Sequence, residues 1–268
     1  MLAKVLKYDL KATGRLLVPA YLVFIVISVV NKICLEIGLR NEYESVSVQL
    51  AQGLTFLLYF LTVFVIGILT TVFVVMYFYK SMAGDQGYLT HTLPTQTEVL
   101  IISKIICSLI WQLVVTLLIS SSVFFMLFGH IGEIYTSLGD IFGFTWQKML
   151  SSFDFDINIY SILLVTASAV SAIMSSVTYL ACIAFGNLSN KHKVMSAIFS
   201  YVGFYIGLRV FRLIIDIIYE TTKSGIESSV AAEMLNGKLI FDIMVNIVIT
   251  VVLYLLTVDI FKKRLNLE

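Results

Sequence analysis

The residues of this chain that could do chemistry are few, and their spacing argues against catalysis. Its three histidines, His91, His130 and His192, are scattered through polar connections. Its three cysteines, Cys34, Cys107 and Cys182, lie in or beside apolar runs at no metal-ligand spacing, and read as buried or lipid-facing thiols. Gly84-Asp85-Gln86-Gly87 has the glycines of a phosphate-binding turn but neither its lysine nor a preceding strand. There is no His-Glu-x-x-His and no Gly-x-Ser-x-Gly, and no pair of carboxylates within an apolar run suits proteolysis. The expectation is a chain that is not an enzyme, with no catalytic, metal-ligating or cofactor-binding residue of its own.

The chemistry that remains is electrostatic. An ionisable side chain inside a membrane-crossing run is costly, which makes it a functional candidate. Arg209, Arg212, Asp216 and Asp242 are such residues. Arg212 and Asp216 stand four apart and can pair on one helix face. The group reads either as a polar lining or outer gate for a substrate path, or as an ion-paired helix end near the outer headgroups.

A second constellation is the polar stretch from Lys80 to Lys104, which interrupts two long apolar runs. It carries Gly84, Asp85 and Gly87, then Tyr88-Leu89, then His91-Thr92-Leu93-Pro94, and then Thr95-x-x-Glu98, the pattern of a capping box that would fix the start of the next helix. Tyr88, Leu89 and Leu93 are apolar anchors that a plain loop does not need. The stretch reads as a docking surface with one or two helical turns.

These residues must be positioned by a membrane scaffold. Of the 268 residues 59% are hydrophobic and 13% charged, against about 25% charged in a soluble domain, and the mean hydropathy is +0.96. A hydrocarbon core takes about 20 apolar residues per helix. The runs predict an all-α, polytopic membrane protein forming a single transmembrane domain over residues 1–268, with six spans near 16–35, 54–79, 99–128, 159–186, 194–218 and 239–258. Residues 2–13 predict an amphipathic interfacial helix, with Leu2, Val5, Leu6 and Leu10 on one face and Lys4, Lys7 and Lys11 on the other; Asp9 lands on the apolar side and calls for a polar partner there. The first run continues to full spanning length with no small-residue cleavage site, so it does not read as a signal peptide. Pro19 falls in the first turn of the first expected span, where a missing N–H costs little.

In the fourth run Ala167, Ser171 and Ser175 repeat every four residues, as do Ser168, Ala172 and Ser176, a spacing that lets helix backbones approach closely. Gly203-x-x-x-Gly207 offers a second packing face in the fifth. With six spans both termini lie on one side. Of the 18 Lys+Arg and 17 Asp+Glu, that side holds eleven cations and five acids, and the other side the remaining seven and twelve. Positive residues favour the cytoplasm, so both termini and the segment 80–98 are expected to face inward. The net charge of +1 gives no reason to expect nucleic acid as a partner.

Over Gly84, Asp85, Gly87, Tyr88, Leu89, Thr92, Leu93, Pro94, Ser103 and Lys104 the sequence resembles the permease subunits of type-2 ABC exporters, in particular small permeases of Gram-positive bacteria. That resemblance implies six helices per subunit and pairing with a second permease copy or homologue in the bacterial cytoplasmic membrane. It also implies a cytoplasmic ATP-binding-cassette ATPase, a separate chain carrying the ATP and Mg, docked on the connection between spans two and three. The cargo it implies is a peptide, toxin, drug or lipid-like amphiphile, antimicrobial peptides among them. In the family the segment between spans five and six re-enters the membrane; the polar character of residues 219–238 leaves that open here. The alternatives are an ion-coupled secondary transporter and a membrane immunity protein that binds a toxin without moving it.

Overall fold

The computed structural model describes residues 2–40, 46–82, 84, 97–127, 157–188, 193–223 and 231–263. Their elements are six α-helices: α1 (Leu2–Arg40), α2 (Val46–Met82), α3 (Thr97–Leu127), α4 (Ile157–Gly186), α5 (Lys193–Lys223) and α6 (Ala231–Lys263). Each contains a stretch long and apolar enough to cross a membrane. The described residues are therefore all-helical, with six helices suited to a multi-pass membrane protein. Much of its apolar surface is open, Phe60, Phe64, Phe199 and Val248 among the most exposed, as expected of side chains whose solvent is lipid.

α1, α2, α5 and α6 all run well past the apolar runs that announce them. Hydropathy marks only the part suited to lipid, whereas the backbone ladder continues as long as nothing breaks it. The separate helix expected over residues 2–13 is joined to the first span without a break, in a single helix of 39 residues. As a result Pro19 is not in a first turn but in the interior of α1. There it removes the amide that would bond the Arg15 carbonyl, a loss that membrane helices tolerate. The polar connection expected over 219–238 is largely helix as well: α5 runs on to Lys223 and α6 starts at Ala231.

The chain divides into two compact units, Met1–Tyr77 with Ile106–Tyr135, and Phe78–Ile105 with Thr136–Glu268. In the first unit a polar seam along one face of α1 meets α2 and α3. Asp9, Thr13, Leu17, Tyr21, Phe24, Ser28 and Lys32, three or four residues apart, are all buried, one helical stripe. The Tyr77 hydroxyl donates to Asp9 Oδ1 at 2.7 Å, and Trp111 Nε1 donates to Thr13 Oγ1 at 2.8 Å. Tyr21 and Thr70 hydroxyls lie 3.1 Å apart. Ser122 bonds both the Tyr59 hydroxyl, at 2.6 Å, and Ser28, at 3.2 Å, which joins three helices at one node. Lys32 donates to the Met126 carbonyl near the end of α3 and pairs with Glu36 at 3.2 Å. Lipid offers no hydrophobic drive between helices, so bonds of this kind, at about 0.6–2 kcal/mol each, contribute much of what fixes the packing.

In the second unit α4 packs against both α5 and α6. Val177 and Ala181 of α4 and Leu253 of α6 form its core, with Ile105 of α3 and Phe204 of α5 packed against them. α4 is the most buried of the six spans. Its burial is concentrated between Met174 and Asn187. A Cβ on Gly186 would stand 2.5 Å from Ala197 Cβ, so the glycine is what lets the α4 and α5 backbones meet at the turn between them.

Candidate functional site

The segment expected to dock a partner begins where α2 ends. The Gly84 amide donates to the Tyr79 carbonyl at 2.9 Å, the long bond of a Schellman closure that terminates the helix after Met82. A Cβ at Gly84 would lie 3.1 Å from Lys80 Cα, crowding that last turn. Asp85, Gly87, Tyr88, Leu89, His91, Thr92, Leu93 and Pro94 lie outside the described residues, as does Thr95 of the expected capping box. Its other member, Glu98, sits in the first turn of α3 and binds Lys262 Nζ of α6 at 2.6 Å. Ser103 and Lys104, one turn further on, are buried and partnered. Both flanking helix ends thus fall in the same compact unit as α4, α5 and α6, and the start of α3 is bound to it by the Glu98–Lys262 pair and by Ile105.

The four charges expected within the spans are not arranged as their spacing suggests. Arg212 does not pair with Asp216. Its Nη2 donates to Asn246 Oδ1 of α6 at 2.8 Å, and Asp216 binds Lys238 Nζ at 2.8 Å. The α5 and α6 extensions are tied through side chains 34 and 22 residues apart in sequence, a choice of partner that periodicity within one helix does not reveal. Asp242 is partly buried in α6. The Arg209 guanidinium lies over the Tyr205 ring, 5.4 Å from its centroid, a cation–π contact.

Arg209 and Arg212 meet two residues expected to serve helix packing. Ser171 and Ser175 of α4, with Met174 and Thr178, line a cavity of about 250 Å³. Tyr201, Tyr205, Leu208, Arg209 and Arg212 face it from α5. The stripe Ala167, Ser171, Ser175 is therefore not a tight seam: Ser171 is exposed and Ala167 and Ser175 are half-buried, and small side chains here leave space. Nor do Gly203 and Gly207 pack within this chain, since a Cβ at either would meet nothing within 4 Å. At about 100° per residue both point away from the cavity, on the back of α5 with the exposed Phe199, Ile206, Val210 and Ile214. The close approach of α4 and α5 falls instead at Gly186.

The sequence reading passed over the polar seam of α1, whose signal was present: Thr13, Tyr21, Ser28 and Lys32 share the face that Asp9 begins. Asn187 was missed too. It is 1% exposed at the end of α4, and among the described residues its side-chain nitrogen and oxygen meet no partner. No group of three His, Cys, Asp or Glu that could hold a metal occurs among the described residues. A scan against protein-family models and searches of curated proteins and of solved structures found no match.

Proposed function

We propose that this chain is the membrane-spanning permease subunit of an ATP-driven exporter, moved by a separate ATP-binding-cassette ATPase that docks on residues 80–98. Both termini and that segment then face the cytoplasm, and residues 2–13 extend α1 along or just outside the inner headgroups. One observation carries the reading. Both helix ends flanking the motif-bearing segment fall in the unit that contains α4–α6, and the start of α3 is tied to it through Glu98–Lys262 and Ile105. A push on the segment is thereby delivered to the helices that frame the cavity. The back of α5, apolar and opened by Gly203 and Gly207, suits close approach of a second permease copy. The cargo is an amphiphile small enough to engage a membrane-depth cavity.

Ion-coupled transport is the second reading, and the buried Asp9 and Lys32 of α1 favour it. They stand 23 residues apart, about 34 Å along the helix, against a hydrocarbon core of about 30 Å. That spacing puts them at the two membrane boundaries rather than at the midplane where coupling ions bind, so the first reading is preferred. Affinity purification of the full-length chain from its native membranes tests the choice. The exporter reading expects a cytoplasmic ATPase to co-purify and transport in proteoliposomes to require it. Transport driven by an ion gradient without any ATPase contradicts it.

A further inference from the structure

The cavity between α4 and α5 has a polarity gradient that specifies its occupant. From Tyr201 to Arg212 it follows α5 for eleven residues, about 16 Å, as an open channel of about 250 Å³ along which Tyr201, Tyr205, Arg209 and Arg212 are exposed. Pockets that enclose drug-sized molecules are larger, about 300–1,000 Å³. Toward the α4–α5 turn its walls are Met174 and the rings of Tyr179 and Tyr201, whose centroids are 5.9 Å apart. At the other end stand Arg209 and Arg212, about one turn apart on α5. Both guanidiniums are held in place, Arg209 on Tyr205 and Arg212 by Asn246. A guanidinium has five N–H donors, and Asn246 engages one of them. Among the described residues no carboxylate pairs with either arginine, since Asp216, the nearest candidate in sequence, is taken by Lys238. Two fixed cations that no described carboxylate pairs with, at one end of a membrane-helix channel, are costly, and an anion there relieves that cost.

We infer that this channel binds an anionic amphiphile, its phosphate- or carboxylate-type headgroup held between Arg209 and Arg212 and its apolar body lying along Leu208, Tyr205 and Met174. Guanidinium forks match the geometry of such oxyanions. A cationic or neutral amphiphile of the same size leaves both arginines unanswered. The inference deepens the exporter reading by naming the chemical class of its cargo, but the binding it describes needs no ATPase.

The test uses the full-length chain in phosphatidylcholine nanodiscs, without ATP or any partner, and radiolabelled dodecyl phosphate as the probe. Saturable binding is expected, weakened about tenfold in Arg209→Gln, the loss of one charged hydrogen-bonding group, and largely retained in Arg209→Lys. Ser175→Leu, which narrows the channel but keeps both arginines, is expected to weaken binding as well. Each variant is checked for an unchanged Tm. Competition by phosphatidylglycerol added to the discs identifies a bilayer lipid as the natural source of the anion, and failure to compete identifies a single-chain cargo; either outcome supports the site. Equal binding of dodecyltrimethylammonium, full displacement by inorganic phosphate, or wild-type affinity in Arg209→Gln overturns it. Absence of an ATPase partner would sink the exporter reading and leave these affinities where they are.

Discussion

A carboxylate or ammonium carried into a membrane helix must be answered by a partner, and α1 shows how closely. Asp9 breaks the amphipathic pattern of residues 2–13, yet it is 4% exposed and accepts the Tyr77 hydroxyl at 2.7 Å. Lys32, at the other end of the helix, is 6% exposed and is capped by the Met126 carbonyl and Glu36. Such anchors fix the rotation of α1, because a turn of the helix about its axis would take both charges away from these partners. Tyr77→Phe is therefore expected to lower the stability of the first unit by about 1–2 kcal/mol, read as a fall in Tm in detergent. An unchanged Tm would mean that the seam does not hold α1 in register.

At the scale of the helices, one glycine does what several small residues were expected to do. Gly186→Ala is expected to destabilise by about 1–3 kcal/mol, the usual cost of forcing an extra methyl into a full contact, since its Cβ would collide with Ala197. Gly203→Ala and Gly207→Ala, which point into open space, should leave Tm unchanged or raise it through helix propensity. Thermal unfolding of the three variants side by side checks both halves of this. The contrast also shows what the sequence makes legible. The six helices are, because about 20 contiguous apolar residues leave no alternative in lipid. Their ends are not, because hydropathy falls silent where lipid stops while the helix goes on, which is why Pro19 was expected in a first turn. Four-residue spacing names the small side chains Ala167, Ser171 and Ser175 but not whether a neighbour fills the space beside them. Likewise Arg212 and Asp216 announce themselves as ionisable residues in a membrane, but their partners, Asn246 and Lys238, are chosen by the approach of α6.

At the scale of the whole molecule, the charge asymmetry and the docking segment make one account. If the termini and residues 80–98 face the cytoplasm, Cys34, exposed near the far end of the first span, is labelled by a membrane-impermeant maleimide in intact cells. In a Cys34→Ser background, a Gln86→Cys substitution is expected to be labelled only after the membrane is opened. The reverse pattern would invert the chain and remove the segment from the reach of a cytoplasmic motor. The most direct test of the central claim is ATP hydrolysis by the complex purified with its ATPase, measured for the wild-type chain and for the Tyr88→Asp, Leu89→Asp double variant. The account predicts hydrolysis that depends on the wild-type permease and is lost with the double variant, while the Tm of the membrane subunit stays the same. Normal stimulation of hydrolysis by the double variant would contradict it.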